Sequence, residues 1–293
     1  MDSSYRIIMN RKLLYLLILV MFSTSAFAGG GWTHKQRHGY FKISQWWVLS
    51  NSHYTDLGKI DPNITSGLFN TSIYGEYGIT NRINGIIYFP FFSRALHYNL
   101  YSGTTGDLIL PGQSINSIGD TNIGIKYGII QDQRFVLSTT ITLGLPFGNS
   151  SGGSDGSLQT GDGEFNQMLS LDFSTSLPIG KVNTYYSTYI GFNNRTKGFS
   201  DEFRYGVEAG ATFFNKLTTI FKLYGVKSLR NGSSTIDNAT SIFSNNVEFT
   251  ALSSEVAYDV FSKIGLSASI TVPLAGKLIY ADNAYSIGVY MKF

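Results

Sequence analysis

Apolar and polar side chains alternate along most of this chain with a period of two. At its end, Tyr285, Ile287, Val289, Met291 and Phe293 are separated by Ser286, Gly288, Tyr290 and Lys292. Ile264, Leu266, Ala268, Ile270 and Val272 alternate with Gly265, Ser267, Ser269 and Thr271, and Phe203, Tyr205, Val207, Ala209 and Ala211 with Arg204, Gly206, Glu208 and Gly210. Successive side chains of a strand point to opposite faces, so each segment has one greasy face and one mixed face. The pattern predicts strands at 38–50, 67–79, 82–92, 117–129, 133–146, 164–177, 180–191, 203–214, 216–227, 244–259, 263–273 and 283–293. The connections alternate in length. Short turns fall at Thr80-Asn81, Ile130-Gln131-Asp132, Pro178-Ile179, Asn215 and Phe261-Ser262, and longer polar loops at 51–66, 93–116, 147–163, 192–202, 228–243 and 274–282.

Charge placement says what the greasy face meets. A soluble sandwich hides its apolar face and wets the charged one, whereas a membrane barrel turns apolar residues to lipid and polar ones to its lumen. Lys42, Glu76, Arg82, Asp120, Lys126, Asp172, Arg204, Glu208, Lys222 and Lys292 all fall in the phase opposite the apolar residues. A basic residue facing lipid at the midplane costs roughly 2–4 kcal/mol, so this sorting is what a barrel requires. Backbone groups in hydrocarbon find no water, which forbids an open sheet edge. The expected fold is therefore all-β, a closed antiparallel transmembrane β-barrel of about 12 strands, with both termini at the short-turn end. One segment resists the pattern. In 244–259, Val247, Phe249 and Ala251 set one phase while Leu252, Val256 and Tyr258 set the other, which calls for a bulge near Ala251 or a different strand boundary. Aromatic residues at strand ends (Tyr40, Phe41, Trp46, Trp47, Phe89, Phe91, Phe92, Phe147, Phe203, Phe213, Phe214) suit an interfacial girdle.

Composition adds to this. Charged residues are 14%, aromatics 15%, Gly is abundant and Cys is absent. The N-terminus resembles a secretory signal: basic Arg11 and Lys12, the apolar run Leu13–Phe22, then Ala26-Phe27-Ala28. Cleavage between Ala28 and Gly29 would divide the chain into a signal peptide (1–28), an N-terminal periplasmic segment (29–37) and the barrel (38–293). Removing Arg6, Arg11, Lys12 and Asp2 with the signal leaves nineteen basic and eighteen acidic side chains, a net charge of +1. So near-neutral a chain gives no reason to expect nucleic acid as a partner.

The terminal run Tyr285-Ser286-Ile287-Gly288-Val289-Tyr290-Met291-Lys292-Phe293 resembles the C-terminal assembly signal of bacterial outer-membrane proteins. The resemblance implies that the barrel-assembly machinery reads Tyr285, Ile287, Val289, Met291 and Phe293. It also implies a bacterial outer-membrane location, with lipid and lipopolysaccharide as surroundings. Gly119-Asp120-Thr121-Asn122-Ile123-Gly124-Ile125-Lys126-Tyr127 is similar to the Gly-Asp-x-x-x-Gly-x-Lys-Tyr strand of a family of outer-membrane channels named after the MetA pathway of phenol degradation. Pro146 followed by the loop bearing Thr160-Gly161-Asp162 resembles a second element of that family. The resemblance implies passage of small, often aromatic or hydrophobic, compounds.

The remaining motifs point away from catalysis. His34, His38, His53 and His97 lack the His-x-Ser arrangement of outer-membrane phospholipases, so no catalytic residue and no cofactor is expected. Asp155, Asp162 and Glu164 do not have EF-hand spacing, and their Gly- and Ser-rich loop 148–163 reads as a mobile, protease-accessible surface loop rather than a metal site. The candidate constellation is the set of lumen-phase charges: Lys42, Arg82, Lys126, Arg204, Lys222 and Lys292 against Glu76, Asp120, Asp172, Glu208 and Glu248. Mixed signs either line a weakly selective pore or pair across a narrow lumen and brace the barrel. Glu76, Arg82 and Lys126 are expected near the short-turn mouth, with Asp120 at the other end of its strand. The functional expectation is a channel or uptake porin for small solutes. The alternative is a non-conducting structural or adhesive barrel acting through its loops.

Overall fold

The computed structural model describes residues 30–234 and 241–293; the expected signal peptide and the Ala28–Gly29 junction lie outside the described residues. Sixteen strands alternate along the chain: β1 (Gly39–Tyr54), β2 (Ile60–Gly78), β3 (Ile83–His97), β4 (Leu100–Tyr101), β5 (Leu108–Leu110), β6 (Gln113–Ser117), β7 (Thr121–Ile130), β8 (Phe135–Leu145), β9 (Asn166–Ser176), β10 (Asn183–Arg195), β11 (Glu202–Phe213), β12 (Leu217–Ser228), β13 (Glu248–Asp259), β14 (Ile264–Lys277), β15 (Ile279–Tyr280) and β16 (Ala284–Lys292). β4 and β5 form a small hairpin of their own. The others make twelve staves, with β6–β7 and β15–β16 each serving as one, all antiparallel to their neighbours. β1 closes the ring. Ile43 stands opposite both Ile73 of β2 and Val289 of β16, and Phe293 and Gly39 exchange two backbone hydrogen bonds of 3.0 and 3.1 Å. Closure leaves no open edge, as the hydrocarbon argument demands.

The sorting of side chains explains why this sequence closes as it does. Ile43, Ile125, Ile141, Leu171, Ile190, Phe221, Leu266 and Ile287 stand on the outer wall, exposed. Their strand neighbours Ser138, Thr140, Ser170 and Ser174 are buried inside. An outer wall this apolar is an aggregation hazard in water and the natural surface of a barrel in lipid. The last stave follows the rule, with Tyr285, Ile287, Val289 and Met291 outward. At the turn end, Phe293 stacks on Phe41 and Tyr77 at centroid distances of 5.7 and 6.2 Å.

Several expectations are corrected. Loop 51–66 shrinks to residues 55–59, because β1 and β2 stay paired up to Tyr54↔Ile60. Within expected loop 93–116, β6 continues the line of β7 in the same register against β3. Pairing lapses only between Tyr88↔Asn122 and Ser93↔Ser117, where Pro90 has no N–H to donate and Gly119 packs so close that a Cβ would lie 2.5 Å from the Pro90 ring. The bulge near Ala251 exists, but β14 carries it: Thr250 faces Ala275 and Ala251 faces Pro273, leaving Leu274 unpaired. β13 itself keeps one phase, so Val247, Phe249 and Ala251 are apolar residues on the inward side. Tyr40 and Trp46 also leave the girdle. Tyr40 points inward and stacks on Tyr290, and Trp46 lines the lumen.

Candidate functional site

The candidate site is the lumen, described from the short-turn end to the long-loop end. At the turn end, residues 30–37 fold back into the barrel. The Arg37 N–H donates to the Gly78 carbonyl, and His34 and Gln36 donate backbone N–H groups to the side chains of Asn84 and Asn81. Gly31 donates to Ser174 Oγ at 2.8 Å and accepts from the Gln131 amide at 2.8 Å. A Cβ on Gly30 would lie 2.5 Å from Ser187 Oγ, so only glycine fits this close approach to the inner wall. Lys126 Nζ donates to the Gly30 carbonyl at 3.0 Å and stands 3.4 Å from Glu76 Oε2, which lies 3.8 Å from His34, while the other oxygen of Glu76, Oε1, accepts from Tyr74. Glu76 and Lys126 therefore stand near the expected mouth, but buried, as the clasp that holds the N-terminal segment across it.

Above this clasp lies a cavity of about 520 Å³ bordered by Tyr40, Tyr74, Tyr88, Tyr189 and Tyr224 and by two ion pairs. Lys42 meets Glu255 at 2.7 Å, and Lys222 meets Glu208 at 3.1 Å. Asp172 has no basic partner within ion-pair distance among the described residues and accepts from Ser170 at 3.1 Å and Thr140 at 3.3 Å. Three inward tyrosines, Tyr185, Tyr189 and Tyr290, lie over glycines of the next strand. A Cβ on Gly206, Gly210 or Gly265 would lie 2.1–2.4 Å from the ring of Tyr189, Tyr185 or Tyr290. Inward glycine beside inward tyrosine lets a ring lie flat on the wall where two large side chains would collide.

At the loop end a second chamber of about 370 Å³ opens. Loop 147–163 folds over it, with Leu158 packed inward and residues 149–151 and 153–155 exposed. Leu158 is buried with Val48, Leu68, Ala95 and Tyr280, and Ser241 donates to Gln159 at 3.0 Å. Asp120 accepts the backbone N–H groups of Gly148 (2.8 Å) and Asp162 (2.7 Å), pinning both ends of the loop. Arg195 spreads its guanidinium over Asp162 (2.9 Å), Glu164 (2.8 Å) and Glu202 (2.9 Å), and Arg204 adds a 2.7 Å contact to Glu202. Burial, reinforced by the Asp120 carboxylate, pushes Asp162 up to about 6 despite Arg195.

Of the expected lumen charges, Lys42, Asp172, Glu208 and Lys222 border the central cavity, and Asp120 and Arg204 the chamber. Lys292 sits at the turn-end rim with both Asp259 oxygens, at 2.8 and 3.0 Å. Two do not face inward. Arg82 lies exposed in the turn after β2, where its carbonyl accepts from Gly128. Glu248 starts β13 in the outward phase and is held at the loop-end rim by Lys227, Arg230 and Lys277. Sequence reasoning missed Glu255, Arg195, Glu202 and the tyrosine lining. Glu255 shares the inward phase of Ser253 once β13 is read without a slip.

No protein-family model and no curated protein matches this chain significantly. Among solved structures, the COG4313 outer membrane channel from Pseudomonas putida F1 is similar over 92% of this chain and 100% of its own, at 14% identity and a TM-score of 0.59. The beta domain of the Bordetella autotransporter BrkA is similar over 88% of this chain and 100% of its own, at 11% identity and a TM-score of 0.50. Both likenesses bear on the fold, a closed antiparallel β-barrel of the kind those two outer-membrane proteins have. The twelve-stranded antiparallel barrel expected from the alternation is the one observed.

Proposed function

We propose that this protein is an outer-membrane channel for small solutes, with the short turns in the periplasm and the long loops outside. The observation that carries the reading is the interior: two successive cavities, each bordered by tyrosine rings and charged side chains, follow the barrel axis between narrowed ends. Side chains fill a barrel of about eight strands, whereas these twelve staves enclose a wider interior that holds cavities of about 520 and 370 Å³. The inward residues Lys42, Asp172, Arg204, Glu208, Lys222 and Asp120 are read as pore-lining, and aromatic or other hydrophobic compounds as the solutes. Export would use the signal cleaved at Ala28–Gly29, and assembly the residues Tyr285, Ile287, Val289, Met291 and Phe293 together with the barrel-assembly machinery. Planar-bilayer recording and liposome swelling with the purified protein test the reading. Discrete small-conductance steps are expected; a folded, heat-modifiable barrel that never conducts would favour the structural or adhesive alternative. The charges paired within the lumen are the feature that alternative would explain.

A further inference from the structure

The loop-end chamber has two unlike walls. The arc formed by β13, β14, β15 and β1 presents Trp46, Phe249, Pro273 and Tyr280. The facing arc presents Asp120, Asp162 and Glu202, and Asp282 adds a fourth carboxylate, against Arg204 alone among the described basic residues bordering the chamber. Behind that wall, Arg195 is shared by Asp162, Glu164 and Glu202, while Asp120 and Asp282 have no basic partner within ion-pair distance among the described residues, so five carboxylates stand against two arginines. A second observation points into the same space. Asn70 borders the chamber, is only 7% exposed, and its Oδ1 has no hydrogen-bond partner. A buried acceptor left unmatched costs free energy that a ligand N–H would recover.

We propose that this chamber binds an organic cation, an amine or quaternary ammonium carried on an apolar or aromatic body. The proposal names the solute class of the channel read above and rests on that reading. An anion meets net negative charge on the polar wall. A neutral apolar solute satisfies the aromatic arc but leaves the excess carboxylates and the Asn70 oxygen unanswered. A bare metal ion finds its carboxylates already engaged by guanidinium and backbone N–H groups, with an aromatic wall opposite. An organic cation matches both walls: its charge lies against the carboxylates or an aromatic face, and its body lies on Trp46 and Phe249. The field continues inward, since the central cavity is bordered by Asp172, Glu208 and Glu255 against Lys42 and Lys222.

The test is calorimetric titration of the full chain, folded in a non-ionic detergent, with 2-phenylethylammonium, the neutral 2-phenylethanol and the anion phenylacetate. The ammonium is expected to bind about tenfold more tightly than the alcohol, with phenylacetate weakest. That advantage is expected to shrink in about 1 M salt. Asn70→Leu, which adds an apolar side chain beside Val48 and Leu68, should lower ammonium affinity severalfold and spare the alcohol; heat-modifiability checks its fold. Glu202→Gln should act in the same direction. Equal or tighter binding of the alcohol or phenylacetate, or no binding of any of the three, overturns the proposal. Conductance measured on the same preparation separates the two readings. Ammonium-selective binding without conductance removes the channel and keeps the site, and conductance without the ranking removes the site and keeps the channel.

Discussion

Replacing Lys126 by Met tests whether the lumen charges at the turn end are scaffold or ornament. The sequence alone suggests a wetted pair worth roughly 0–1 kcal/mol. The structure instead buries the pair, with Lys126 5% and Glu76 3% exposed, 3.4 Å apart. At an effective dielectric near 20 that separation corresponds to about 5 kcal/mol of attraction before desolvation is counted. Lys126→Met also removes the 3.0 Å bond to Gly30 and leaves Glu76 with only Tyr74 and His34. Breaking one side of a buried pair typically costs about 3–5 kcal/mol, because an uncompensated charge remains. Replacing both partners by uncharged residues removes that penalty. The assay is urea unfolding in lipid vesicles of Lys126→Met, Glu76→Gln and the double variant. The single variants should each lose several kcal/mol, and the double variant should recover much of the loss. Single variants within about 0.5 kcal/mol of the parent, adding linearly in the double, would refute the clasp.

Ile125→Arg, at a position 59% exposed on the outer wall next in sequence to Lys126, should cost roughly 2–4 kcal/mol and impair assembly in vesicles; a silent substitution would invert the inside-outside assignment. Gly210→Val should displace the Tyr185 ring and lower the unfolding midpoint, while Gly103→Val, with open space around its would-be Cβ, should be neutral. Asp162 is held at about 6 against an ordinary 3.8, so its ionised form strains the folded loop above pH 6. That strain is relieved as pH falls from about 6 toward 4. Hydrogen exchange in 147–163 should slow between pH 7 and 5 after correction for the intrinsic rate, and Asp162→Asn should flatten the response; Asp120, Glu164 and Arg195 are the charges that face it.

Alternation with charge confined to one phase made the barrel legible, because lipid outside and water inside act on every residue of every stave. Strand ends were less legible. Above the lipid, β1 and β2 stay paired among polar residues to Tyr54↔Ile60, where the apolar alternation has stopped. The inward charges Lys42 and Lys222 could be read from parity, and the turn at Asn215 already sets Glu208 opposite Lys222, but Glu255 stands three staves from Lys42 and meets it only through the curvature of the closed barrel, which parity does not encode. The phase conflict at Val247, Phe249 and Ala251 held the most information. It resembled a slipped strand, and it is in fact an apolar inner wall. Gly30 and Gly31 gave no periodic signal at all, since their role is to fit where a side chain cannot.

A conducting lumen whose turn-end mouth is narrowed by residues 30–37 should reveal itself in single-channel recording of the full chain beside a variant lacking those residues. Small, cation-preferring steps are expected from the full chain, and larger ones once the segment that Lys126 and Gln131 hold across the mouth is gone. Two folded, heat-modifiable barrels with no conductance, or with identical conductance, would refute a lumen gated in this way.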